Sequence, residues 1–271
     1  MVLFLLILDY LLSYVFLLPL KDDRGRYRSF PVMTVGLVVL NTAIFAFVSL
    51  VLPNWLGSEE DWTALMHQMS LVPTDVLEGR GWGALSMITA SFLHGNVPHL
   101  VGNMFLLFFF GRKMEDVLGP AKFVLFYLAC MFVSSIGSVL GRAALPLTGG
   151  MPGLGASGAI MGVMAGYLFL YHEQRIRTWI TLTILPIPFT LRIPVWVFML
   201  YTVSSDILRG LLQQQFEAYG YIYSFVDSFA HLGGFIAGIT CIYFFLPREL
   251  LYYRYRQEEV DAGDAGNKAT Q

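Results

Sequence analysis

Apolar residues along this chain come in long runs rather than alternating with polar ones. Runs near 31–53, 97–112, 121–141, 156–172, 193–210 and 224–246 are separated by breaks rich in charge, glycine and proline. Such runs predict membrane-spanning helices, because about 20 residues at ~1.5 Å rise cross the ~30 Å hydrocarbon layer. A further apolar stretch, 1–20, carries Asp9 and Ser13 four residues apart and lacks both a basic leader and a small-residue cleavage site. It reads as a membrane-surface helix or an extra span, not as a signal peptide. The expected architecture is an all-α, polytopic membrane protein in three parts. These are an apolar segment 1–20, a six-helix membrane domain 21–250 and a tail 251–271 whose Glu, Asp, Gly and Ala content reads as disordered.

Composition agrees with that pattern: 56% of residues are hydrophobic, 13% are charged, and mean hydropathy is +0.62. A soluble domain of this length carries about twice the charge. Of the 17 lysines and arginines, all but Arg80, Arg142 and Arg209 fall in one set of alternate loops. The positive-inside rule therefore puts both flanks of the core on the cytoplasmic side and the start of the fourth helix near the outer face. A net charge of −2 and the absence of a basic stripe in the sequence give no sign of nucleic-acid binding. Cys130 and Cys241 lie in predicted spans, form no Cys-x-x-Cys pair and read as core residues.

Candidate chemistry begins with Gly153-Leu154-Gly155-Ala156-Ser157-Gly158, a glycine-rich turn that delivers one serine to the start of a small-residue helix. Glycines around a serine let the backbone turn tightly and a substrate chain approach, as a nucleophile requires. Gly158, Gly162 and Gly166, spaced by four, equally suit close packing of membrane helices, so this stretch alone leaves both readings open. The second signal is His231 in Ala230-His231-Leu232-Gly233-Gly234, within the last apolar run, followed by Gly238. An ionisable residue in a span is costly and marks function, and imidazole can take a proton from serine near neutral pH. His99 and Asn103 are four apart and share a helix face, where an amide donor can stabilise an oxyanion, or the two can simply bond between helices. Asp227 lies four residues before His231 and is a candidate to orient it.

Elsewhere the long first outer loop, 54–96, carries Trp55, Trp62 and Trp82, suited to the membrane interface. Glu115, in the turn after the second helix, reads as a structural hydrogen-bonding anchor. The segment 173–192 is basic and broken by Pro186 and Pro188, and Gln213-Gln214-Gln215-Phe216-Glu217 opens an outer loop able to lid the site. His172-Glu173 lacks the second histidine of His-Glu-x-x-His, which disfavours a zinc protease.

Together, His99-x-x-x-Asn103, Gly155-Ala156-Ser157-Gly158, Ala230-His231-x-x-Gly234-x-x-x-Gly238, and Gly111 with Glu115 and Gly119 resemble the rhomboid family of intramembrane serine proteases, bacterial type, over roughly residues 20–250. The resemblance implies a catalytic dyad of Ser157 (nucleophile) and His231 (general base and acid). It also implies an oxyanion site of Asn103, His99 and the Ser157 backbone, with motif glycines Gly155, Gly158, Gly234 and Gly238. It implies no metal or organic cofactor, and transmembrane-protein substrates cleaved near the outer face of a bacterial inner membrane; the sequence itself leaves the oligomeric state open, a monomer being one option. A rival within the same fold is a non-catalytic rhomboid-like protein that binds membrane helices. Three features depart from the family pattern: Arg80-Gly81-Trp82 in place of Trp-Arg, Met161 in place of an aromatic one turn after the serine, and the extra N-terminal stretch.

Overall fold

A computed structural model of the chain describes residues 4, 6–7, 15–22, 29–182, 185–220 and 226–246. The tail 251–271 and most of 1–14 lie outside the described residues. All six predicted spans are helical. They are α1 (Val32–Leu56), α5 (Val97–Leu118), α6 (Pro120–Arg142), α7 (Ser157–Tyr171), α8 (Val195–Glu217) and α9 (Ser228–Phe245). Between α1 and α5 the first outer loop folds into α2 (Glu59–Met69), α3 (Pro73–Glu78) and the short apolar α4 (Gly83–Phe92). By length and composition α1, α6, α8 and α9 are able to cross a membrane. The protein is a polytopic helical membrane protein.

Helix α7 explains the remaining arrangement. Every residue from Gly158 to Tyr167 is buried, so this 15-residue helix is enclosed by protein on all sides. At ~1.5 Å per residue it is about 22 Å long, short of the ~30 Å hydrocarbon thickness, and Ser157 is its first residue. Around α7 the core gathers Leu107, Phe110, Met114, Phe126, Tyr127, Met164 and Tyr167, among others. Lipid tails are as apolar as these side chains, so burial alone does not drive association, and close packing must hold the helices together. The glycines meet that need. A Cβ on Gly234 of α9 would collide with the carbonyl oxygen of Gly158 in α7, and one on Gly238 with that of Gly162.

Helix ends follow local rules. Asn96 caps α5 by accepting the His99 N–H at 2.8 Å, and Gly119 (φ 77°) ends it before Pro120 starts α6. Glu115 accepts from Met33 N (2.9 Å), Thr34 N (2.8 Å) and Thr34 Oγ1 (2.7 Å), satisfying orphan donors at the start of α1. It is the structural anchor expected from its position.

Strands are the unexpected element. Val15–Asp22 (β1), Arg175–Leu182 (β2) and Leu185–Pro194 (β3) form an antiparallel sheet in the order β1-β2-β3. Residues 15–20 therefore extend a sheet instead of forming the interfacial helix or extra span expected for 1–20, and 173–192 is largely a hairpin. The β2 pattern Arg-Ile-Arg-Thr-Trp-Ile has the two-residue period of a half-buried strand. Asp22 brings β1 to the bundle through Lys113 Nζ at 3.7 Å and Tyr167 Oη at 3.4 Å.

Candidate active site

The loop into Ser157 is pinned before it reaches the helix. Leu71 and Gly153 exchange two backbone hydrogen bonds of 2.8 Å, and Gly155 N donates to Ala90 O at 2.8 Å. Gly155 holds φ 123°, which L side chains rarely adopt, and a Cβ there would lie 2.8 Å from His99 Nε2. Only glycine lets the serine loop and His99 approach so closely.

On the facing helix, His231 Nε2 lies 2.8 Å from Ser157 Oγ. The contact joins residues 74 positions apart and depends on the glycine contact between α7 and α9. The other ring nitrogen, Nδ1, lies 3.0 Å from Asp206 Oδ2 on α8. A carboxylate only accepts, so Nδ1 carries the proton and Nε2 presents its lone pair to the serine hydroxyl. The Asp206 and His231 side chains are 4% and 15% exposed. Water therefore competes little for their hydrogen bond.

Asp227, the residue suggested by spacing to orient His231, is engaged elsewhere. Its Oδ1 accepts from Ala230 N at 3.0 Å as the cap of α9, and its Oδ2 binds Arg142 Nη1 at 2.8 Å and the Ser138 hydroxyl. Arg142 in turn donates from Nη2 to Thr148 O (2.7 Å) and Met151 O (2.6 Å). This cluster ties the start of α9 to the end of α6 and to the loop before Ser157. The sequence left open whether Asp227 orients His231; the His231 Nδ1 contact goes to Asp206 instead, since an i, i+4 relation on one helix does not bring a carboxylate to a ring nitrogen aimed at another helix. Asp206 did carry a legible signal: an acid inside a predicted span, the same criterion that marked His231.

His99 and Asn103 line one cavity of about 440 Å³ together with Ser157, Gln213, Asp227 and His231. Asn103 Nδ2 is buried without a hydrogen-bond partner, and a Cβ on Gly155 would lie 3.6 Å from it. An unpaired amide donor in such a place is costly unless something transient uses it. The Ser157 N–H heads α7 and is one of the helix's orphan donors. Beneath His99 lies His94, buried, with ring centroids 5.2 Å apart and edge-on geometry. Burial, aided by the neighbouring His99, pushes the His94 pKa down to about 4. At neutral pH it adds no charge beside the site.

A serine oxygen bonded to an imidazole that a carboxylate orients, beside unpaired donors in a cavity, can perform acyl transfer. The constellation is set inside a helical membrane protein. A family model of the Rhomboid domain matches residues 81–248, and the chain belongs to the rhomboid family. It is similar to the human (Homo sapiens) presenilin-associated rhomboid-like protein, mitochondrial, with 30% identity over 153 residues, 56% of this chain and 36% of that protein. It also resembles two Arabidopsis thaliana proteins. RHOMBOID-like protein 6, mitochondrial, is 32% identical over 160 residues, 59% of this chain and 43% of that protein. RHOMBOID-like protein 12, mitochondrial, is 25% identical over 189 residues, 65% of this chain and 50% of that protein. The matches thus cover half or less of the length of these relatives. All three carry mitochondrial names, which run against the bacterial inner membrane expected from the sequence.

Proposed function

We propose that the protein is an intramembrane serine endopeptidase that hydrolyses peptide bonds in or near transmembrane segments of other proteins. One observation carries the reading: Ser157 Oγ, His231 and Asp206 form a continuous hydrogen-bonded chain, 2.8 and 3.0 Å, at the edge of a cavity that Ser157 and His231 line.

In this mechanism the Ser157 hydroxyl attacks the scissile carbonyl while its proton passes to His231 Nε2. The carbonyl π electrons move to oxygen, and the oxyanion is met by Asn103 Nδ2, His99 and the Ser157 N–H. Collapse breaks the C–N bond, and His231 returns the proton to the departing amine. Water entering the cavity repeats the sequence on the acyl-enzyme and frees Ser157. Asp206 holds the ring through Nδ1 and stabilises the imidazolium. Loss of one oxyanion donor in such a site costs about 100-fold or more in kcat.

Substrates follow from the membrane setting. A helical peptide bond has its carbonyl engaged, so a segment must unwind before attack, and glycine or proline near its outer end eases that step. The site then lies toward the face opposite the basic loops. The test is reconstitution with a single-span substrate carrying such residues, with products identified by mass spectrometry. Wild type is expected to cut near the outer end, and Ser157→Ala and His231→Ala to lose at least about 10⁴-fold in kcat. Cleavage that survives in Ser157→Ala would end this reading.

A further inference from the structure

Along β2, exposed Arg175, Arg177 and Trp179 alternate with buried Ile176, Thr178 and Ile180, giving the strand one face on the bundle and one away from it. Residues directly paired across strands share a face. Lys21 of β1 and Arg192 of β3 are both paired with Arg177, so three cations form one row across the whole sheet. Like charges directly opposite each other destabilise a sheet. Among the described residues no carboxylate pairs with Lys21, Arg175, Arg177 or Arg192. Asp22, the acid at the end of β1, is paired with Ile176 on the opposite face and contacts Lys113.

That opposite face extends past the helices. Ile176 belongs to the bundle core, whereas Leu191 and Phe189, on the same face of edge strand β3, are 49% and 40% exposed. The strands leave the C-terminal end of α7 and lead into α8, with Val195 N donating to Gln174 O at 2.8 Å. The sheet therefore lies at the level of the membrane surface on the basic side, opposite Ser157.

We propose that the sheet is a bilayer-docking element. Phe189 and Leu191 enter the boundary between headgroups and acyl chains, and the row Lys21, Arg177 and Arg192, with Arg175, draws anionic phospholipid headgroups around it. The design is the sheet counterpart of an interfacial amphipathic helix, in which apolar burial and attraction to anionic lipid act together. A polybasic cluster beside a span is the charge pattern that anionic leaflets attract. Lipid phosphate supplies the counter-charge that the row lacks among the described residues. This role is separate from the chemistry at the other end of α7.

The full-length protein is incorporated into nanodiscs of mixed phosphatidylcholine and phosphatidylglycerol, and the lipids retained on release are counted by native mass spectrometry. Wild type is expected to retain phosphatidylglycerol about threefold or more over phosphatidylcholine, and K21Q/R177Q/R192Q to lose that preference. R177Q alone, the milder variant, should fall between them, and F189S/L191S should retain fewer lipids of both kinds. Equal retention by wild type, or an unchanged preference in both charge variants, overturns the proposal. So does a preference that appears only after removal of residues 251–271, which include Glu258, Glu259, Asp261 and Asp264. That result would show the row neutralised by the chain's own tail.

Discussion

Helices α7 and α9 meet backbone to backbone, whereas α8 meets the bundle through large side chains. Gly158 faces Gly234, and Gly162 faces Gly238, with no room for a methyl group between them. On α8 the buried apolar contacts are made by Val195, Phe198, Met199, Leu208 and Leu212, beside the buried polar Ser205, Asp206, Gln213 and Glu217. The difference assigns distinct roles to the two halves of the site. The Ser157–His231 distance is set by contacts that cannot slide without a clash. The Asp206–His231 bond comes from a helix whose side chains can repack. Rigid placement thus belongs to the Ser157–His231 pair, and adjustment belongs to the helix that carries Asp206.

Four substitutions or conditions probe this division, in order of their effect on activity. Asp206→Asn should lower kcat by about 10³–10⁴-fold, by favouring the wrong imidazole tautomer, with little change in melting temperature. Paired turnover and thermal-denaturation measurements would show it. Gly234→Ala should cost about 1–3 kcal/mol by overpacking and about 100-fold in turnover by separating α7 from α9. Gly36→Ala, where a Cβ meets nothing within 4 Å, is the steric control. Asp227→Asn keeps an α9 cap but leaves Arg142 without its counter-charge, so stability should drop by about 2–4 kcal/mol while turnover per folded molecule changes little. If Asp227→Asn instead silences a fully folded protein, the roles given to the two aspartates are reversed.

The smallest effect is on pH. The folded-state pKa of His94 is about 4, below its ordinary 6.5. The unfolded chain therefore binds the extra proton first, and stability falls as pH drops from about 6.5 towards 4. Melting temperatures across that window should decline less steeply in His94→Gln than in wild type.

Much of this was legible in the sequence because membrane helices leave strong signals. Runs of apolar residues marked all six helices, and Gly155, Ser157, Gly158, His231, Gly234 and Gly238 marked a close contact with chemistry beside it. Asp206 was legible as an acid inside a span, but its pairing with His231 was not, because the two lie 25 residues apart on different helices and linear spacing carries no information about which helices touch. The sheet was hidden for a different reason. Pro19, Pro186 and Pro188 argue against strands, the run at 1–20 is too uniformly apolar to show a two-residue period, and β1 pairs with residues more than 150 positions away. The outer loop helices α2 and α3 are short, and their start signals, the Ser58 cap and Pro73 in the first turn, become meaningful only beside known neighbours.

The most direct measurement is labelling of the membrane-embedded protein with a fluorophosphonate, followed by peptide mass spectrometry to locate the adduct. The reagent loses fluoride to an activated serine, so it reports nucleophilicity without requiring a known substrate. The account predicts an adduct on Ser157 in wild type, slow labelling in Asp206→Asn, and none in Ser157→Ala or His231→Ala. Labelling of Ser157 that proceeds equally well in His231→Ala, or no adduct in wild type, would contradict it.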